Sequence, residues 1–300
     1  MITQTYRKKL TAFGRAQWAQ WKPAKYALRV GANNHFPLGL VEIEGPQEDT
    51  AQMFACLTSY WRGLGEREPY WSVESFQRYK RAMFDQNADQ FFKSGEDAIH
   101  RIESLFSRNQ QSLSSVKIVA ELGCGVGRET AFLAHRFERI IALDVSAPHL
   151  KLAQNRITLT GSTNVDFVNI STVDDLKQLP RVDLFYSVFV LQHNPPPIIV
   201  QLLNLLFERL HVGGYALFQI PTFRRGYSFI WNDYVRKMSQ GIPAKPEMHY
   251  VPQHVVFALM RAHGLELLEV QEDTHTGSPV SISNTFFGRK SQVSLPRTEN

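Results

Sequence analysis

Residues 116–130 read VKIVAELGCGVGRET, an apolar run that reaches Glu121 and Leu122 and passes directly into glycines at 123, 125 and 127. The run suits a buried strand. The glycines suit a tight turn in which a Cβ would obstruct the approach of a ligand to the backbone. A glycine loop at the carboxyl end of a first strand is where open α/β sheets bind nucleotides. Strand, turn and then a helix over Arg128 to Phe137 are therefore expected.

Working outward, strand-like runs recur at Val116–Leu122, Arg139–Val145, Val165–Ile170, Val182–Val188 and Gly214–Ile220. Helix-like stretches lie between them at Arg128–Phe137, Ala147–Thr160 and Pro197–Leu210, the last opened by prolines that suit a first turn. Such alternation predicts βα units and a mostly parallel, doubly wound sheet. The pattern breaks at Pro221 and resumes at VPQHVVFALMRAHG (251–264), where Pro252 suits a helix start and Gly264 its end. LELLEVQED and SISNTFFGRK follow, separated by a turn-forming stretch from Thr274 to Pro279, and are expected to pair antiparallel at one side of the sheet. The fold class expected is thus α/β: a Rossmann-like seven-stranded sheet with an antiparallel last strand. Residues 1–110 are rich in aromatic residues, interrupted by Pro23, Pro37, Pro46 and Pro69, and end in the amphipathic GEDAIHRIESLFSRN. They read as a mainly helical N-terminal cap on a catalytic domain over 111–300, which itself carries an insertion at 221–250.

The second strand, RIIALDVS, ends in Asp144, 17 residues after Gly127. An acidic residue near that spacing reaches ribose hydroxyls in dinucleotide folds. A nicotinamide fingerprint, G-x-G-x-x-G, would need a glycine where Arg128 stands, so a dehydrogenase is disfavoured. ELGCGVG followed by ALDVS resembles motif I and the acidic loop of class I S-adenosyl-L-methionine-dependent methyltransferases, and VDLFYSVFVLQH and LHVGGYALFQIP resemble that family's fourth and fifth strand motifs. The resemblance implies S-adenosyl-L-methionine as cofactor. It places Gly123, Cys124, Gly125 and Gly127 along the methionine portion with Glu121 and Arg128 nearby, and puts Asp144 on the ribose with Val145 beside it. Ser187, at the end of the fourth strand, completes the set. Many members have an acidic residue after the third strand that meets the adenine amino group; VDFVNISTVDDL puts Ser171 there instead, with Asp174 and Asp175 close by.

His193, just beyond the fourth strand, falls where the sheet's carboxyl edge faces the cofactor, and a near-neutral pKa suits it to remove a proton from an acceptor hydroxyl. A brace for the loop is the alternative role. HNPPP resembles the NPPY motif of amino-group methyltransferases only superficially, because Asn194 lies about seven residues past the strand end where that motif belongs. The histidines form no HxH or HExxH pair, so no metal site is expected.

The 300 residues carry 33 Lys and Arg against 28 Asp and Glu, scattered along the chain, which disfavours a nucleic-acid partner and leaves peripheral membrane contact open. Two cysteines, no apolar leader and no long apolar run suggest a cytoplasmic chain. The insertion holds Arg224, Arg225, Tyr227, Trp231 and Tyr234, and the cap holds Tyr70 and Trp71; of these Arg224, Tyr227, Tyr70 and Trp71 are the candidate substrate contacts. EREPYWSV, LQHNPPP, MHYVPQH and ISNTFFGRK resemble bacterial methyltransferase-domain proteins associated with surface polysaccharide synthesis. That resemblance implies a sugar, nucleotide-sugar or glycan hydroxyl as acceptor, with a small metabolite, a lipid or RNA as the alternatives. Oligomeric state is not legible.

Overall fold

The computed structural model describes residues 39–240, 247–273 and 275–291. Expectations for 1–38, including Pro23 and Pro37, and for 241–246 within the insertion lie outside the described residues. The sheet has seven strands: β1 (Ile118–Leu122), β2 (Arg139–Asp144), β3 (Val165–Asn169), β4 (Val182–Ser187), β5 (Leu210–Arg224), β6 (Leu265–Asp273) and β7 (Ser281–Lys290). Their spatial order is β3-β2-β1-β4-β5-β7-β6. The first five are parallel, β7 runs antiparallel to β5, and β6 pairs antiparallel with β7, as the two terminal runs suggest. The strand order reverses between β1 and β4, so their carboxyl ends flank the crevice in which such sheets hold ligands.

Helices α1 (Gln47–Arg67), α2 (Pro69–Val73), α3 (Ala88–Lys93) and α4 (Asp97–Arg108) precede the sheet. Between strands come α5 (Thr130–Arg136), α6 (Ala147–Thr160) and α7 (Pro196–Glu208), and then α8 (Trp231–Met238) and α9 (Gln253–Ala262) follow β5. The segment before β1 is helical as expected, but it shares a core with the sheet: Met53 and Phe54 of α1 are buried in the cluster that holds Leu122, Ile141, Phe185 and Phe218. A smaller buried cluster, Tyr79, Phe84, Phe91 and Val126, joins the same segment to the glycine loop.

The fifth strand departs furthest from expectation, beginning at Leu210, the expected end of the preceding helix, and not at Gly214. β5 does not end at Ile220 but continues through Pro221 to Arg224. The proline is tolerated because pairing with β7 shifts register between Pro221 and Phe223, and because β4 has already stopped at Ser187, opposite Phe218. Beyond the end of β4 the Pro221 carbonyl accepts the Val251 N–H at 3.1 Å, which ties the return of the insertion to the strand.

Candidate active site

The loop after β1 turns through residues of positive φ, Gly123 at 78° and Gly125 at 53°. A side chain on either would be strained, and it would also collide: a Cβ on Gly123 would lie 2.2 Å from Val190 Cγ2, and one on Gly125 would lie 2.9 Å from Val73 Cγ2. Both bare Cα atoms line a cavity of about 670 Å³ at the carboxyl edge of the sheet, a size that holds a drug-sized ligand. Asp144 fixes the loop from the end of β2. Its Oδ2 accepts the Gly125 N–H at 2.9 Å and its Oδ1 the Ser146 N–H at 2.8 Å. Each carboxylate oxygen keeps a lone pair for a further donor.

Glu121, Cys124, Arg128 and Val145 also line this cavity. Glu121 is fully enclosed; burial pushes its carboxyl up to about 8, opposed by the Thr130 hydroxyl that donates to its Oε2 at 2.6 Å. Arg128 is buried and committed to the protein: its guanidinium pairs with Glu129 at 2.9 Å and Glu74 at 3.2 Å and donates to Ser94 at 3.1 Å, tying the helical segment to the loop. Gly127 packs against Ala153 of α6 instead of facing the cavity, Ser187 is buried with its hydroxyl donating to the Leu122 carbonyl at 3.2 Å, and Ser171 is exposed beyond Ile170, where the cavity wall ends. Asp175 serves the backbone there, accepting the Ser171 and Thr172 N–H groups at 2.7 and 2.9 Å.

The remaining wall comes from residues to which the sequence alone assigns no role. Phe54, Leu57 and Trp61 of α1 approach from one side, Ser72 to Phe76 from another, and Phe189, Met248 and His275 from the far end. Phe189 holds φ at 64°, a costly conformation for an aromatic residue, and its N–H is satisfied by the Gln219 side chain at 3.0 Å. Of the candidate substrate contacts, Tyr70 stacks on Phe84 with centroids 3.4 Å apart, and Trp71 lies beneath the Lys80 ammonium at 5.9 Å. Arg224 is exposed at the end of β5, and Tyr227 is bonded to His249 at 2.9 Å. The structure gathers none of the four onto the cavity wall.

His193 does lie on that wall, in the 3₁₀ turn Leu191–His193, with its ring 5.1 Å from that of Trp61. Its Nδ1 stands 2.8 Å from the Glu247 backbone carbonyl, which can only accept, so Nδ1 carries the proton and Nε2 is an acceptor, engaged by one long bond of 3.4 Å from the Gln192 side-chain amide. Burial, with a smaller contribution from His249, lowers its pKa from the ordinary histidine value against the Glu247 bond, so the ring is neutral near pH 7. Buried Gln192 also lines the cavity, and its Oε1 has no hydrogen-bond partner among the described residues. Among those residues no group of His, Cys, Asp or Glu could hold a metal ion, and no helix is long and apolar enough to cross a membrane.

Residues 119–214 match the family described as a methyltransferase domain. The chain is similar to the tRNA/tmRNA (uracil-C(5))-methyltransferase of a Nitratiruptor species, 35% identical over 89 residues that cover 25% of this chain and 24% of that protein. It is similar to the trans-aconitate 2-methyltransferase of Deinococcus radiodurans, 34% identical over 106 residues covering 35% and 38% respectively. It therefore spans well under half the length of these relatives. The crystal structure of magnesium protoporphyrin IX methyltransferase from Synechocystis PCC 6803 with bound SAH shares its fold, with a TM-score of 0.54 at 13% identity over 78% of this chain and 98% of that one. The cofactor of the matched domain is S-adenosyl-L-methionine. The residues present fit it: two bare glycine Cα atoms face the cavity, an acidic side chain stands at the end of β2, and a second carboxyl is enclosed where a cationic group would ionise it.

Proposed function

We propose that the chain is an S-adenosyl-L-methionine-dependent methyltransferase that acts on an acceptor hydroxyl, with a sugar, nucleotide-sugar or glycan as the acceptor class. One observation carries the choice of a hydroxyl: His193 lines the same cavity as the glycine loop, with Nδ1 satisfied by a carbonyl and Nε2 left as the acceptor nitrogen, held only by a long bond of 3.4 Å from the Gln192 amide that an acceptor hydroxyl can displace. Bound at the loop, the cofactor supplies an electrophilic methyl group on a sulfonium. Glu121, Gly123, Cys124, Gly125, Asp144 and Val145 would hold it. What remains for the protein is to position the acceptor in line and to take its proton. His193 does the second, and Phe54, Leu57, Trp61 and Val190 exclude water while it does so.

The sugar assignment draws support from the polysaccharide-associated sequence resemblance and from Trp61, whose ring beside His193 offers a face on which a pyranose can stack. Screening sugars, nucleotide sugars, lipids and RNA for a mass gain of one methyl group identifies the acceptor. His193→Ala should then lower turnover by roughly a hundredfold to ten-thousandfold with cofactor affinity almost unchanged. Because only neutral imidazole accepts the proton, wild-type turnover should rise with pH through a value below the ordinary histidine pKa, and that limb should vanish in the variant. An identical pH profile in both proteins removes His193 from the chemistry.

A further inference from the structure

The stretch 247–251 returns from the insertion and runs beside the turn that carries His193. Two bonds tie it there: His193 Nδ1–H donates to the Glu247 carbonyl at 2.8 Å, and His249 N–H donates to the Gln192 carbonyl at 2.7 Å. Behind them lies a cluster of side chains for which the cofactor site has no use. Tyr234 of α8 donates to Glu247 Oε2 at 2.8 Å, His249 Nε2 lies 3.2 Å from the same oxygen, and the Tyr227 hydroxyl lies 2.9 Å from His249 Nδ1. Tyr234 and His249 are both buried.

The donors and acceptors of this cluster agree in one direction. A carboxylate accepts only, so His249 Nε2 carries a proton towards Glu247, and the Tyr227 hydroxyl holds the same ring at Nδ1. Glu247 is in turn held ionised: burial raises its pKa, but the bonds from His249 and Tyr234 outweigh that and leave it below the ordinary carboxylate value. With its side chain gripped from two sides, Glu247 cannot swing its backbone carbonyl away from His193. A neutral imidazole in water favours the proton on Nε2, the arrangement that would leave no lone pair there for an acceptor proton. Something must reverse that preference.

We infer that Tyr234, Glu247, His249 and Tyr227 form a clamp that positions His193, fixing its proton on Nδ1 and so reserving Nε2 for the acceptor. The inference deepens the reading of His193 as base and rests on it for its purpose, though its test does not. On this view the aromatic residues of the insertion serve the base, and Tyr227 acts behind the site. The groups facing His193 are Trp61 from α1, Gln192 from its own turn, and Glu247 and His249 from the clamp.

The tautomer can be read without turnover, in the full chain labelled with ¹⁵N-histidine, from long-range ¹H–¹⁵N correlations at pH 8; the signals lost in His193→Gln assign the ring. Wild-type His193 should show its protonated nitrogen at Nδ1. Tyr234→Phe, which removes one oxygen, should give a mixture, and His249→Leu should move the proton predominantly to Nε2. His249→Gln, whose amide can reach the Glu247 carboxylate, should restore the wild-type pattern. Unchanged S-adenosylhomocysteine affinity in each variant shows that it has folded. An Nε2-protonated wild type, or a His193 that stays Nδ1-protonated in both Tyr234→Phe and His249→Leu, overturns the clamp. Should the tautomer shift as expected while His193→Ala keeps the wild-type pH profile, the clamp stands and the base reading falls.

Discussion

At the scale of single residues, the glycine loop makes the sharpest demand. Gly125→Val would put a β-branched side chain at a φ of 53° with its Cβ 2.9 Å from Val73 Cγ2. The backbone strain alone costs about 1–2 kcal/mol, and the new methyls would fill the cavity. Calorimetry with S-adenosylhomocysteine should show no binding; wild-type affinity would move the cofactor elsewhere. Glu121 yields a prediction about protons. Its carboxyl titrates near 8 when folded and in the ordinary carboxylate range when unfolded. Between those values the folded chain holds a proton the unfolded chain has lost, so this group makes stability fall as pH rises through the window. Glu121→Gln should accordingly raise the unfolding temperature relative to wild type at pH 8 and not at pH 4. An ammonium group on the bound cofactor would ionise Glu121, so binding near pH 7 should release up to about one proton, seen as a dependence of the binding heat on buffer ionisation enthalpy. A heat independent of buffer in the wild type would separate Glu121 from the cofactor.

At the scale of elements, β1 to β4 and the loop were legible in the sequence because the signals that specify them are local: an apolar run, three glycines, an acidic residue at a fixed spacing. The wall opposite was not. Phe54, Leu57 and Trp61 read as an ordinary helix face, and nothing near them in sequence says that α1 crosses the end of the sheet. EREPYWSV pointed to the right segment but not to its buried side, since a helix as short as α2 shows no periodicity; the cavity takes Ser72 to Phe76, while Tyr70 goes to Phe84. Glu247 and His249 escaped because their partners, His193 and Tyr234, come from separate elements. The tie between helical segment and loop can be tested directly. Arg128→Gln leaves Glu74 and Glu129 without their shared cation, and breaking a fully buried pair costs about 3–5 kcal/mol, an upper bound here because Glu74 is partly exposed. Chemical denaturation should show a loss up to that bound, and a change below about 0.5 kcal/mol, the range of ordinary surface substitutions, would mean that the pairing is solvated.

At the scale of the whole molecule, the helical segment and the sheet build one core, and the cavity lies between them. The loop cysteine makes that architecture measurable. Cys124 is buried at the cavity wall, and its thiol is held well above its ordinary pKa by burial. A thiol so buried and so weakly acidic is alkylated slowly, at a rate that reports its exposure at the cavity wall. The rate of alkylation at Cys124 is therefore a probe of the loop, with the half-exposed Cys56 as the internal reference. S-adenosylhomocysteine should slow modification of Cys124 and leave Cys56 unaffected. Arg128→Gln, by loosening the tie between helical segment and loop, should speed it, so a chemistry unrelated to methyl transfer would report how firmly the helices cover the cofactor loop.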